Sequence, residues 1–146
     1  MSWITQNVAF PSLEGLRVLV VDDEPVIALE IEYVLTKAGA AVVGPVGVVA
    51  EALELVKDET LSAAVLDVRL AGESIDAVAE ALCDHDVPFI FYSGQVETDA
   101  TLYRWPRATY VAKPAPARRL VEAVRGIVDA TSAPGRPDFP DRPATA

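Results

Sequence analysis

The chain has 146 residues, of which 51% are hydrophobic and 23% are charged, so it is long enough for one domain with a buried core. Its formal net charge of −10 opposes nucleic-acid binding, which depends on Lys and Arg neutralising phosphates. The single cysteine, Cys83, excludes an internal disulfide, and no apolar run approaches the roughly 18 residues of a membrane span. With no recognisable signal peptide, we expect a cytoplasmic protein that contacts neither nucleic acid nor membrane.

Short apolar runs alternate with segments of helical periodicity. The run of Val and Leu at 18–21 indicates a strand buried on both faces, as in a parallel sheet. A helix is predicted over 25–37, because Pro25 suits a first helical turn and Gly39 is a stop signal. Two later segments carry apolar stripes at helical spacing, and a last helix follows over about 115–130. This alternation predicts an α/β fold, a (βα)5 doubly wound parallel sheet. The helical residues predicted to face the sheet are Val49, Ala52, Leu53 and Val56, then Ile75, Val78, Ala79 and Leu82, and finally Leu120, Val124, Ile127 and Val128.

The segment from Gln95 to Trp105 weakens this pattern. Its apolar stripe is sparse, it contains two threonines, and it stops before Pro106. We therefore predict a short or irregular fourth helix.

Polar and charged side chains follow four of the predicted strands. Because the carboxyl ends of parallel strands meet at one edge of a sheet, we expect these side chains to converge. Unpaired acids would be costly there, so the cluster needs a cation. The residues are Asp22 and Asp23 after the first strand, Asp67 after the run 63–66, Ser93 after 89–92 and Lys113 after 110–112.

This set of residues suits transfer of a phosphoryl group to a carboxylate. Mg²⁺ would be held by Asp23 and Asp67, with Asp22 helping directly or through water, because this ion prefers octahedral oxygen ligands. Asp67, the lone acid of its strand, would be the nucleophile. Lys113 and Ser93 would bind the equatorial oxygens of the transferring group, whose negative charge must be offset.

From about residue 17 to 130 the chain resembles the receiver domain of two-component response regulators. The resemblance rests on the strand-end residues above, on Pro114 after the lysine, and on the aromatic Tyr110 three residues before it. It implies a flavodoxin-like strand order, 2-1-3-4-5. It also implies that Asp67 accepts a phosphoryl group from a sensor histidine kinase or a histidine phosphotransfer protein, with Mg²⁺ required and the backbone carbonyl of Arg69 as a ligand. Ser93 and Tyr110 would form the switch pair that responds to the phosphoryl group.

The stretch Phe91-Tyr92-Ser93-Gly94 partly resembles the F-A-T-G motif of stand-alone receivers. Two positions depart from the common family pattern, because Ala71 replaces a usual proline and Ala115 replaces a usual aromatic residue. These changes concern the output surface and leave the chemistry intact.

We expect three parts in the chain, an N-terminal extension (1–15), a receiver domain (16–130) and a proline-rich tail (131–146). Sixteen residues after position 130 are too few for an output domain, so such a regulator would signal through protein–protein contacts with a downstream target that the sequence does not identify. The tail reads as a flexible segment or linker remnant. The apolar residues of the extension are predicted to pack on the domain or across a homodimer, namely Trp3, Ile4, Val8 and Phe10.

Other function classes stay open at this point. A metal-dependent phosphohydrolase with an aspartyl-phosphate intermediate usually has a second acid two residues after the nucleophile, where this chain has Arg69. A phosphorylation-independent interaction domain of receiver type is opposed by the intact acids. A nucleotide- or flavin-binding domain lacks its glycine-rich motif after the first strand. We therefore expect a signalling domain rather than an enzyme, one that assists only its own phosphorylation and dephosphorylation.

Overall fold

The computed structural model describes residues 11–94 and 104–132. Seven strands and four helices lie wholly within these ranges. The strands are β1 (Arg17–Val21), β2 (Ala41–Val46), β3 (Ala63–Leu66), β4 (Arg69–Leu70), β5 (Glu73–Ser74), β6 (Phe89–Ser93) and β7 (Thr109–Ala112). The helices are α1 (Pro25–Lys37), α2 (Val49–Asp58), α3 (Asp76–Asp84) and α4 (Ala117–Ser132).

Five of the strands form one parallel sheet in the order β2-β1-β3-β6-β7. Strands β4 and β5 form a separate antiparallel hairpin, so β6 and β7 are the fourth and fifth strands of the main sheet. The order of the main sheet is therefore the predicted flavodoxin-like order, 2-1-3-4-5. The α/β fold and its strand order are thus confirmed. The hairpin was not predicted, since two-residue strands leave no periodicity to detect in the sequence. It begins two residues after Asp67, at one end of a central strand.

The sheet is covered on both faces, as continuous apolar strands require. On β1, Leu19 and Val21 face the core formed with α2 and α3, whereas Val18 and Val20 face the core formed with α1 and α4. The predicted stripe around α3 is fully buried, and the other two predicted stripes lie in or against these cores.

Helix α1 has the predicted bounds, and α4 begins at Ala117, two residues after the predicted start near Ala115. Most of the predicted fourth helix lies outside the described residues, as do Trp3, Ile4, Val8, Phe10 and the proline-rich tail. None of the helices in the described ranges is long and apolar enough to cross a membrane.

An irregularity in β2 positions the first acid of the site. The register between β1 and β2 shifts between Leu19 and Val21, next to Gly44, whose φ is +91°. A Cβ on Gly44 would lie 3.0 Å from the Val46 nitrogen and 3.1 Å from the Val20 oxygen. Beyond the shift, the Asp22 N–H donates to the Val46 carbonyl at 3.0 Å. The glycine therefore allows the backbone path that fixes Asp22.

Gly44→Ala should lower the free energy of unfolding by about 1–3 kcal/mol, because alanine is strained at this φ and its Cβ meets backbone atoms. Gly126→Ala is the matched control, since Gly126 lies inside α4 with open space around its missing Cβ. That change should raise the free energy of unfolding by about 0.5–1 kcal/mol. Urea denaturation measures both values, and shifts of the same sign would contradict this account of Gly44.

Candidate functional site

The carboxyl edge of the sheet brings the predicted polar residues together. Asp22, Asp67 and Ser93 are only 4%, 8% and 3% exposed, and they are the buried polar residues within the described ranges. They lie at or directly after the ends of β1, β3 and β6. A cavity of about 360 Å³ opens at this edge and is lined by Asp23, Glu24, Asp67, Arg69, Ala71, Gly72, Ser93, Gly94 and Lys113.

The ammonium group of Lys113 joins the acids of this cavity. Its Nζ lies 2.8 Å from Asp22 Oδ2 and 3.4 Å from Asp67 Oδ2. The more exposed Glu24 has Oε1 at 3.4 Å from the same nitrogen. The Lys113 backbone N–H donates to the Ser93 carbonyl at 2.9 Å, so the sheet ladder extends past β7 and holds the lysine in place. One cation thus faces three carboxylates.

Burial and charge change the proton affinity of two of these groups. Burial raises the pKa of Asp67, and the nearby Asp22 charge raises it further, although Lys113 and the Arg69 N–H act in the opposite direction. For Lys113, burial alone would lower the pKa, but the hydrogen bond to Asp22 and the charges of Asp67 and Asp22 dominate and raise it. Lys113 therefore stays charged at neutral pH. Ionisation of Asp67, in contrast, is less favourable in the folded protein than in water.

Three carboxylates are close enough to share one metal ion. Oxygens of Asp22, Glu24 and Asp67 all lie within 4.8 Å of one another. Carboxylate oxygens suit Mg²⁺, which retains water on its remaining positions, so this donor set fits the ion that the sequence predicts. Glu24 was not predicted as a ligand. The signal that could have found it is the run of three consecutive acids before Pro25.

Asp23 and Arg69 border the cavity, but neither belongs to that three-carboxylate group. One oxygen of Asp23 accepts a hydrogen bond from the Ala71 N–H at 2.8 Å, which directs the carboxylate toward the β4–β5 hairpin. The Arg69 N–H lies 3.5 Å from Asp67 Oδ1. Metal ligation by Asp23 and by the Arg69 carbonyl therefore stays a prediction.

The predicted switch residues lie on neighbouring strands. Ser93 ends β6, and Tyr110 is half-buried on β7. The Tyr110 ring stacks on Phe91, with 5.0 Å between ring centroids and 26° between planes. Its hydroxyl donates to the Trp105 carbonyl at 3.0 Å. The tyrosine is therefore connected to the segment that precedes β7.

Tyr92 is a neighbour of the site that sequence analysis did not single out. Its hydroxyl accepts a hydrogen bond from the Ala115 N–H at 3.1 Å, and its ring centroid lies 5.7 Å from Lys113 Nζ. This distance is within the range of a cation–π contact. Tyr92 therefore contacts the lysine and also anchors the backbone two residues after it.

The chain is similar to known receiver proteins. A family model described as "Response regulator receiver domain" matches residues 18–125. The phyllosphere-induced regulator PhyR of Methylorubrum extorquens is 32% identical over 101 residues, which cover 67% of this chain and 38% of PhyR. The chain thus spans well under two thirds of that curated relative.

Two solved structures share this fold. SdrG from Sphingomonas melonis Fr1 is 34% identical with a TM-score of 0.65, over 81% of this chain and 97% of SdrG. A response regulator receiver protein from Sinorhizobium medicae WSM419 is 28% identical with a TM-score of 0.71, over 83% of this chain and all of that one.

Asp67→Asn should raise the free energy of unfolding by about 1 kcal/mol at neutral pH without divalent metal, because it removes a buried charge that the fold disfavours. Asp22→Asn should lower it by about 1–3 kcal/mol, because Asp22 is the nearest partner of Lys113. Urea denaturation in chelator measures both. Equal changes in the free energy of unfolding would show that Lys113 stabilises the two acids to the same extent.

The pH dependence of the Asp67→Asn effect has a defined sign. A raised pKa in the fold means that ionisation of Asp67 costs stability as the pH rises from its ordinary value of 3.8 through the raised value. The advantage of the asparagine is therefore complete above the raised pKa and disappears below the ordinary value. An advantage that grew toward acid would contradict the raised pKa.

Proposed function

The chain belongs to the response regulator receiver domain family, and on that basis we propose that it accepts a phosphoryl group on Asp67 and signals through protein–protein contacts. The observation that carries the proposal is the environment of Asp67. This carboxylate is 8% exposed and lies 3.4 Å from the Lys113 ammonium. One of its oxygens also lies within 4.8 Å of oxygens of two other acids, close enough for the three to share a metal ion. Because the similarity covers only 38% of PhyR, the proposal extends to the receiver activity alone.

In the proposed reaction, an oxygen of ionised Asp67 attacks the phosphorus of a phosphohistidine on the donor protein. An O–P bond forms, the N–P bond breaks, and the imidazole leaves with the electron pair and takes up a proton from solvent. Lys113 and the Ser93 hydroxyl would bind the equatorial oxygens and offset their charge. Mg²⁺, when held by the acids of the cavity, supplies the further positive charge that phosphoryl transfer requires.

A phosphohydrolase is disfavoured by the position of Arg69. A guanidinium there cannot act as the general acid or base that such an enzyme needs, because it stays protonated. The acids near Asp67 are instead occupied with Lys113 or with backbone N–H groups. A receiver-like domain that works without phosphorylation is the other alternative. Direct labelling of the protein with a phosphoryl donor distinguishes it from our proposal.

Incubation with acetyl phosphate and Mg²⁺ should add one phosphoryl group that alkali removes, as expected for an acyl phosphate. Asp67→Asn should abolish this labelling because it removes the nucleophilic oxygen. Asp58→Asn is the matched control, since Asp58 is an exposed acid at the end of α2. Intact-mass measurement detects the product. No labelling of the parent protein at any concentration of donor would favour the phosphorylation-independent alternative.

We propose that the donor protein docks on an apolar groove between α1 and α4. The groove has a volume of about 640 Å³ and reaches from Tyr33 to Pro114, the residue after Lys113. Three large apolar side chains of α1 along it are unusually exposed, namely Val26 (69%), Leu29 (62%) and Tyr33 (65%). Helix α1 begins directly after Asp23 and Glu24, so a helix seated there could bring a phosphohistidine to the cavity. We infer that the donor protein is a sensor histidine kinase or a histidine phosphotransfer protein.

Leu29→Lys should reduce the rate of phosphotransfer from protein donors about tenfold or more, because it puts a charge into the apolar contact. It should leave labelling by acetyl phosphate unchanged, since Leu29 does not line the cavity that contains Asp67. Thr36→Lys serves as the matched control, because Thr36 is exposed on the same helix but outside the groove. Phosphorylated kinases of the same cell would be the donors. An equal loss with acetyl phosphate would place the defect in the site instead.

A further inference from the structure

Asp76, the first residue of α3, holds two consecutive residues of a distant part of the chain. Its Oδ1 accepts a hydrogen bond from the Trp105 indole N–H at 2.9 Å. Its Oδ2 pairs with Arg104 Nε at 2.5 Å. The Asp76 side chain is only 19% exposed, so both contacts are partly shielded from water. Its own backbone N–H donates to the Ser74 hydroxyl at 3.1 Å, which ties Asp76 to the hairpin that follows Asp67.

Trp105 connects Asp76 to Tyr110. The indole is fully buried and packs against Phe89 in a T-shaped arrangement, with 5.6 Å between centroids and 80° between planes. The Trp105 carbonyl accepts the Tyr110 hydroxyl at 3.0 Å. A continuous chain of hydrogen bonds therefore runs from Asp76 through Trp105 to Tyr110. We call these three residues the α3 latch.

The α3 latch ends at Tyr110 on β7, a strand that leads to the site of the proposed phosphoryl group. Phe91 and Tyr110 are register partners on β6 and β7, and their rings stack. The same two strands end at Ser93 and just before Lys113. A phosphoryl group on Asp67 adds strong acceptor oxygens that draw the hydroxyl and the ammonium toward it. A shift of these strand ends would move the Phe91–Tyr110 stack, whereas the hydrogen bond to Asp76 would hold the Trp105 indole.

We propose that Asp76 is a positioning residue that opposes phosphorylation of Asp67 by holding Tyr110, through Trp105, in the arrangement that the protein has without a phosphoryl group. The inference rests on the proposed phosphoacceptor function and concerns its regulation. Because coupling between two sites is reciprocal, an interaction that stabilises the unphosphorylated arrangement weakens binding of a phosphoryl mimic. Breaking the latch must then strengthen that binding.

The test is beryllofluoride affinity at saturating Mg²⁺, measured by isothermal titration calorimetry on the full chain. Asp76→Ala and Trp105→Phe should each bind the mimic about three- to tenfold more tightly than the parent protein. Trp105→Phe removes the indole N–H and keeps an aromatic ring in the core. Asp76→Asn is the conservative variant, because it keeps an oxygen for Trp105, and its affinity should lie close to that of the parent. Arg104→Gln should likewise have a smaller effect than Asp76→Ala, since it spares the bond to Trp105.

The outcomes separate the latch from the site itself. Failure of the parent protein to bind beryllofluoride or to accept a phosphoryl group would overturn the proposed function. Normal binding by the parent, with equal or weaker binding by both Asp76→Ala and Trp105→Phe, would overturn the latch alone. A merely structural role predicts loss of stability without a gain in affinity. If Asp76→Ala does not fold, the comparison between Trp105→Phe and Asp76→Asn decides the question by the same criterion.

Discussion

One ammonium group among three carboxylates fixes the carboxyl edge of this domain. Asp22 and Asp67 are buried, and burying such charges is costly unless a partner lies close by. Lys113, which follows the edge strand β7, supplies that partner. The backbone amides of all three residues also bond to a neighbouring strand, at 3.0, 2.9 and 2.9 Å. The ladder therefore extends one residue beyond the apolar strands, and the position of each charge is set by the sheet rather than by a mobile loop.

The charges in this cluster do not balance, and that imbalance is useful chemically. Burial raises the pKa of Asp67, and the charge of Asp22 adds to this rise, although the single lysine opposes it. The metal-free fold gives up some stability by keeping this residue ionised. A divalent cation relieves the same repulsion, which couples metal binding to the availability of the nucleophile. The residue that weakens the apo protein is thus the one on which the proposed reaction depends.

Sequence alone predicted most of the fold and much of this site. Buried strands such as 63–66 and the bounds of α1 have local signatures, and strand ends converge in any parallel sheet. The strand order needed the resemblance to receivers, because crossovers have no local signal. The contact between Asp76 and Trp105 joins residues that are far apart in the chain, and no spacing rule indicates it. Which acid of the run 22–24 lies near Asp67 depends on backbone direction after β1, and for this reason Glu24 was missed.

The role of Asp23 follows from the same backbone geometry. One of its oxygens accepts the N–H of Ala71, a residue whose φ is +51° and which lies between the two strands of the hairpin. A non-glycine residue in this conformation needs support from its surroundings. Since a carboxylate has a second oxygen, this bond does not remove Asp23 from the cavity that it borders. Asp23 therefore shapes the mouth of the site by holding the loop after the acceptor, and Asp76 holds the far end of that loop through Ser74.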